Sequence, residues 1–149
     1  MSVTLSKEEV VNRLKSEGAA KLCEDNQVLA AYLFGSVAEE RTHAHSDVDV
    51  AVLFNESVPR SERFDRRLSL VASLTDLLGT DDLNIVSLKE ASLLLAFNAL
   101  RNPVVLYKAD EYEAAEFEIK TIGMYYDFRP TLDQYSREMF RRIKEYGLA

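Results

Sequence analysis

"LFGSVAEERTHAHSDVDVAVLF", residues 33–54, joins two apolar strands by way of Gly35-Ser36 and opens the second strand on Asp47 and Asp49. In "DVDVAVLF" the alternation of a strand sends Val48, Val50 and Val52 to one face and Asp47, Asp49 and Ala51 to the other. Two carboxylates on one face repel each other unless a positive charge lies between them. A divalent cation with oxygen ligands meets that need, and magnesium suits one or two carboxylates together with substrate phosphates. Gly35 allows a backbone to come close to a ligand. Ser36, just past the strand "VLAAYLF", adds a hydroxyl and free N–H groups of the kind that hold a phosphate.

A third strand, "DLNIVSL", offers one more acid. With Leu83 and Ile85 facing the core, Asp82 and Asn84 lie on the opposite face, and pairing beside the second strand puts Asp82 near Asp47 and Asp49. Asp81 stands next to it, but alternation favours Asp82. Three acids, two metals and a triphosphate fit an in-line phosphoryl or nucleotidyl displacement.

Around these strands the pattern is helical. Ser6 and Glu9 form a capping box ahead of a helix that buries Val10, Val11 and Leu14. Residues 61–78 read as a helix with Phe64, Leu68, Val71 and Leu78 on one side, ended by Gly79. Ser87 and Glu90 form a second capping box, for a helix that stops at Asn102-Pro103. "VVLY" reads as a fourth short strand. Tyr112, Ala115, Ile119, Ile122 and Tyr126 keep helical spacing. After Arg129-Pro130, Thr131 and Gln134 cap a final helix with Leu132, Tyr135, Met139, Ile143 and Tyr146 on one stripe. The C-terminal helices thus occupy about 110–147. The expected fold is a single α/β (α+β) domain over residues 1–149, a small mixed sheet flanked by helices. The direct step between strands across residues 37–46 argues against a fully parallel sheet.

Composition bounds the function. A 149-residue chain that is 47% hydrophobic has enough apolar mass for a core. A net charge of −7 argues against a general nucleic-acid-binding role, yet permits a nucleotide substrate where a metal supplies positive charge. The lone Cys23 reads as a buried small side chain in a reduced, cytoplasmic setting. No signal peptide is visible, and no apolar run is long enough to span a bilayer, so no membrane partner is expected.

Gly35-Ser36, ten residues, then Asp47-Val48-Asp49 resembles the signature of the DNA polymerase β-like nucleotidyltransferases, and the preceding "YLFGS" and short length resemble the minimal members of that family. The C-terminal part, from "NPVVLYKADEYEAAEFEIK" through "REMFRRIKE", resembles MntA-type antitoxins, which pair with HEPN-domain ribonuclease toxins. The resemblance implies a polymerase β-like fold that binds ATP and magnesium. It also implies transfer of AMP from ATP to a tyrosine of the HEPN toxin, which silences it. Gly35 and Ser36 would then hold the triphosphate, and Asp47, Asp49 and Asp82 would be the metal-binding and catalytic acids. One departure stands out. Many relatives carry a basic residue and a glycine shortly after the serine, whereas here Val37-Ala38-Glu39-Glu40 follow and Arg41 is the nearest cation. Two other functions compete with this one: a non-catalytic antitoxin that neutralises by binding, and a nucleotidyltransferase acting on a small molecule.

Several residues invite other readings. His43 and His45 have a spacing compatible with zinc, but a solvated loop is the simpler account, and the acid ligands favour magnesium. Most of the seven tyrosines are expected at helix or strand core positions. "REMFRRIKEYG" is locally basic in an acidic chain, either as a solvated helix face or as a partner-binding surface.

Overall fold

The computed structural model describes residues 6–24, 27–35 and 47–145. Helix α1 (Lys7–Arg13) starts where the Ser6 hydroxyl accepts the Glu9 N–H at 3.2 Å. A widened π-type turn, Leu14–Gly18, passes into α2 (Ala19–Glu24). Strands β1 (Val28–Phe34) and β2 (Val48–Phe54) follow, then α3 (Arg60–Leu78) and β3 (Leu83–Ser87). Helix α4 (Leu93–Arg101), strand β4 (Val104–Lys108) and the long α5 (Glu111–Glu145) complete the chain.

The four strands lie in the order β3-β2-β1-β4. β1 runs antiparallel to both β2 and β4, and β2 pairs in parallel with β3, so the sheet is mixed as expected. Alternation along the central strands makes two cores. Val48, Val50, Val52, Leu83 and Ile85 meet Val10, Leu14, Leu22, Leu70, Leu74 and Leu78 from α1–α3. Tyr32, Phe34, Ala51 and Leu53 meet Ala96, Ala99, Leu100 and Ala114 from α4 and α5 on the other face. Asp49 belongs by alternation to this second face, beyond its apolar layer.

The helices correct the sequence reading in four places. In α3 the buried stripe is Leu70, Leu74 and Leu78, while Phe64 is 58% and Leu68 48% exposed. Only the C-terminal part of α3 supplies buried residues. Its first turns are tied to the sheet edge by polar bonds instead: Arg67 Nη1 donates to the Ile85 carbonyl at 3.3 Å, and Arg63 pairs with Glu90 at 2.7 Å. The N-cap of α4 is Ser92, whose hydroxyl accepts the Leu95 N–H, and not Ser87. Ser87 and Glu90 do bond, at 2.8 Å, but within a turn in which the Ala91 N–H returns to the Ser87 carbonyl.

The expected pair of C-terminal helices is one helix, with Pro130 inside it. Proline's fixed φ is helical, and the carbonyl it leaves without a donor lies on an exposed stretch where water can serve it. Arg129–Asp133 at 3.9 Å spans the proline, and Arg141 pairs with Glu138 and Glu145 further on. The face of α5 that packs includes Ala114, Phe117, Glu118, Thr121 and Tyr125, which stacks on Phe97 of α4 at 3.6 Å, while Tyr112 and Ile119 point outward and the exposed Tyr126 meets the Phe97 ring only edge-on. Tyr112, Tyr126 and Tyr135 are exposed, so the expectation of buried tyrosines holds for Tyr32 and not for these. Gly79 does end α3, at φ +66°, donating to the Thr75 carbonyl at 2.8 Å.

α5 is anchored to the sheet at one polar point. The buried Tyr32 hydroxyl donates to Glu118, and Lys108 Nζ lies 3.1 Å from the same carboxylate oxygen. Burial first, and then Glu118, push the Tyr32 phenol far above its usual range, so it stays a neutral donor.

Candidate active site

The site forms where β1 stops and β2 starts. Phe34 pairs with Asp49 across the antiparallel ladder, which sets Gly35 beside the Asp49 side chain. Gly35 has φ +78°, a backbone that side chains rarely adopt. A Cβ built there collides with Asp49 Oδ2 and stands 3.3 Å from Asp49 Cγ. The glycine is therefore needed twice, once for its backbone turn and once for the carboxylate packed against it. Ser36 lies outside the described residues, as do Arg41, His43 and His45, and the Cys23 side chain is likewise outside them.

Asp47 is exposed and Asp49 half-buried. Between them reaches Asn84, which pairs with Asp49 in the parallel β2–β3 register. Its Nδ2 donates to Asp47 Oδ2 at 3.2 Å and to Asp49 Oδ1 at 3.3 Å. Burial, reinforced by the Asp47 charge, raises the Asp49 carboxyl above its ordinary value, and the Asn84 hydrogen bond opposes that rise. The structure thus brings Asp47 and Asp49 together on one face, as the alternation requires.

Asp82 stands just before β3 at the same end of the sheet. Its carbonyl accepts the Val48 N–H at 2.7 Å, and its own N–H donates to Thr80 Oγ1 at 3.2 Å. Among the described residues no group of three His, Cys, Asp or Glu side chains is gathered around one point. The side chain that joins the pair is Asn84. Strand alternation places it on this face, and as an amide it carries no charge that would mark it as a metal ligand.

The donor set fits a hard divalent cation. Two carboxylates share a face, one of them partly desolvated with its proton affinity raised, and the partner between them is a neutral amide. Among the described residues no helix is long and apolar enough to cross a membrane.

Comparison with known proteins gives the family of the chain. A curated relative, the protein adenylyltransferase MntA of Shewanella oneidensis, is 28% identical over 117 residues, covering 77% of this chain and 80% of its own. A solved toxin–antitoxin structure with AMP-PNP matches with a TM-score of 0.68 at 26% identity, over 87% of this chain and 98% of that one. A toxin–antitoxin MntA–HepT structure shares the fold with a TM-score of 0.61 at 24% identity, over 86% and 98%. The family model described as polymerase beta, nucleotidyltransferase matches residues 17–112, across the sheet, the glycine turn and the acid pair. The chain belongs to the polymerase beta nucleotidyltransferase family.

Proposed function

We propose that this chain is an antitoxin that acts as a protein adenylyltransferase, moving AMP from ATP to a tyrosine of a HEPN-family ribonuclease toxin. The observation that carries the reading is Gly35 packed against Asp49 beside Asp47, inside a chain similar over most of its length to a protein adenylyltransferase. In the reaction the tyrosine oxygen attacks the α-phosphorus of ATP. The bond from that phosphorus to the α–β bridging oxygen breaks, pyrophosphate leaves, and the phenolic proton passes to solvent or a nearby carboxylate.

Asp47 and Asp49 would hold magnesium, which when bound supplies positive charge to the triphosphate in a protein of net charge −7. Asp49 is fixed by Gly35 on one side and Asn84 on the other, so its carboxylate is set before the nucleotide arrives. Gly35, with Ser36 after it, would cradle the phosphates. Asp82 takes part as an outlying acid, and D82N is expected to lower transfer less than D49N does.

The test separates an enzyme from a protein that neutralises by covering its partner. A sub-stoichiometric amount of this chain is incubated with the partner toxin and ATP–magnesium, then removed. The expected result is a toxin that stays inactive and gains the mass of one or more AMP groups. An unmodified toxin, silenced only while equimolar antitoxin is present, supports the covering function instead.

A further inference from the structure

We propose that Asn84 is a positioning residue that stands in for the cation, holding Asp47 and Asp49 on one point while the metal is absent. The proposal rests on the cation-binding role given above to the acid pair. Two neighbouring carboxylates repel, and the exposed Asp47 would turn away from the half-buried Asp49 unless a donor joined them. Asn84 brings a group that suits this: an NH2 with two N–H bonds, one for each acid, at 3.2 Å from Asp47 Oδ2 and 3.3 Å from Asp49 Oδ1. Only the nitrogen end can face two carboxylates, since the carbonyl end would add a third negative dipole. The parallel register that sets Asn84 opposite Asp49 makes the placement a property of the sheet and not of a loose side chain.

The amide is neutral, so it orders the acids without cancelling their charge. A divalent ion drawn to the same two oxygens replaces both hydrogen bonds. Asn84 therefore stabilises the metal-free state, and the metal has to displace it. The cost of losing the amide is felt without metal and disappears with it.

Melting of the wild type, N84A and N84D in EDTA and in millimolar Mn2+ tests this, with Mn2+ binding followed by electron paramagnetic resonance. In EDTA, N84A is expected to melt about 2–4 °C below the wild type. In saturating Mn2+ the gap closes, and N84A binds Mn2+ about fivefold more tightly than the wild type does. N84D, with three acids at one point, falls further in EDTA and gains more from Mn2+ than either. A gap of equal size in both conditions overturns the proposal, because Asn84 is then only structural. A gap that widens in Mn2+ also overturns it, because Asn84 is then a ligand. A wild type that Mn2+ neither binds nor stabilises removes the cation role of the pair as well. AMP transfer is measured separately, so loss of the adenylyltransferase function leaves these readouts intact.

Discussion

Replacing Gly35 by alanine puts a methyl group into the space of the Asp49 carboxylate and onto a backbone at φ +78°. G35A is expected to cost roughly 1–3 kcal/mol in urea unfolding and to abolish transfer, because Asp49 must turn away. D49N tests the other partner. Amide and carboxylate have nearly the same shape, so the fold should survive while transfer is lost. The pH dependence of stability follows from the Asp49 carboxyl, which burial raises above the ordinary carboxylate range. Above that range and up to the higher pKa of the folded state, the folded chain binds more protons than the unfolded one. Stability therefore falls as pH rises through the folded pKa. In EDTA, D49N should melt at or above the wild type at neutral pH, and the difference should shrink on acidification towards the ordinary carboxylate range. A D49N variant that melts well below the wild type at neutral pH would show Asp49 to be a structural residue.

At the scale of elements, α5 divides into an anchored part and a bare one. Ala114 and Thr121 are its buried residues, and Tyr32–Glu118–Lys108 is its polar anchor. Tyr125 and Tyr126 still meet Phe97 of α4, but from Asp127 to Glu145 no described side chain is buried. Removal of residues 130–149 is expected to leave the melting temperature within about 2 °C of the full chain while lowering helical circular dichroism, since surface segments contribute little to global stability. Y32F removes the donor that ties β1 to α5 and leaves Glu118 with Lys108 alone. It is expected to cost about 1–2 kcal/mol by chemical denaturation. α3 shows why helical periodicity misjudged a face: Phe64 and Leu68 share the apolar spacing, yet arginine bonds to Ile85 in β3 and to Glu90 in the turn after it hold that end of the helix.

Over the whole molecule, charge decides how a nucleotide can bind. The net charge is −7, and the acid pair adds its repulsion where the triphosphate would lie. ATP binding is expected to require a divalent ion. Calorimetry in magnesium and in EDTA checks this, and equal affinity in both would exclude a metal-bridged site. The mixed order β3-β2-β1-β4 brings the end of β1 and the starts of β2 and β3 to one end of the sheet, so residues 35, 47, 49 and 84 meet although they lie far apart in the chain.

The acid pair on one face, the glycine before it and the mixed sheet were legible in the sequence because strand alternation and the direct strand-to-strand step are local properties. Ser6, Gly79 and the stop before Pro103 were legible for the same reason, since caps and breakers act within a few residues. Which apolar stripe of α3 or α5 is buried was decided by what each helix packs against, and spacing alone cannot show that. The same holds for Pro130, tolerated because α5 is exposed there. The partner of the acids was a tertiary decision too: the parallel register of β2 and β3 put the Asn84 amide between Asp47 and Asp49 and left Asp82 just outside the strand.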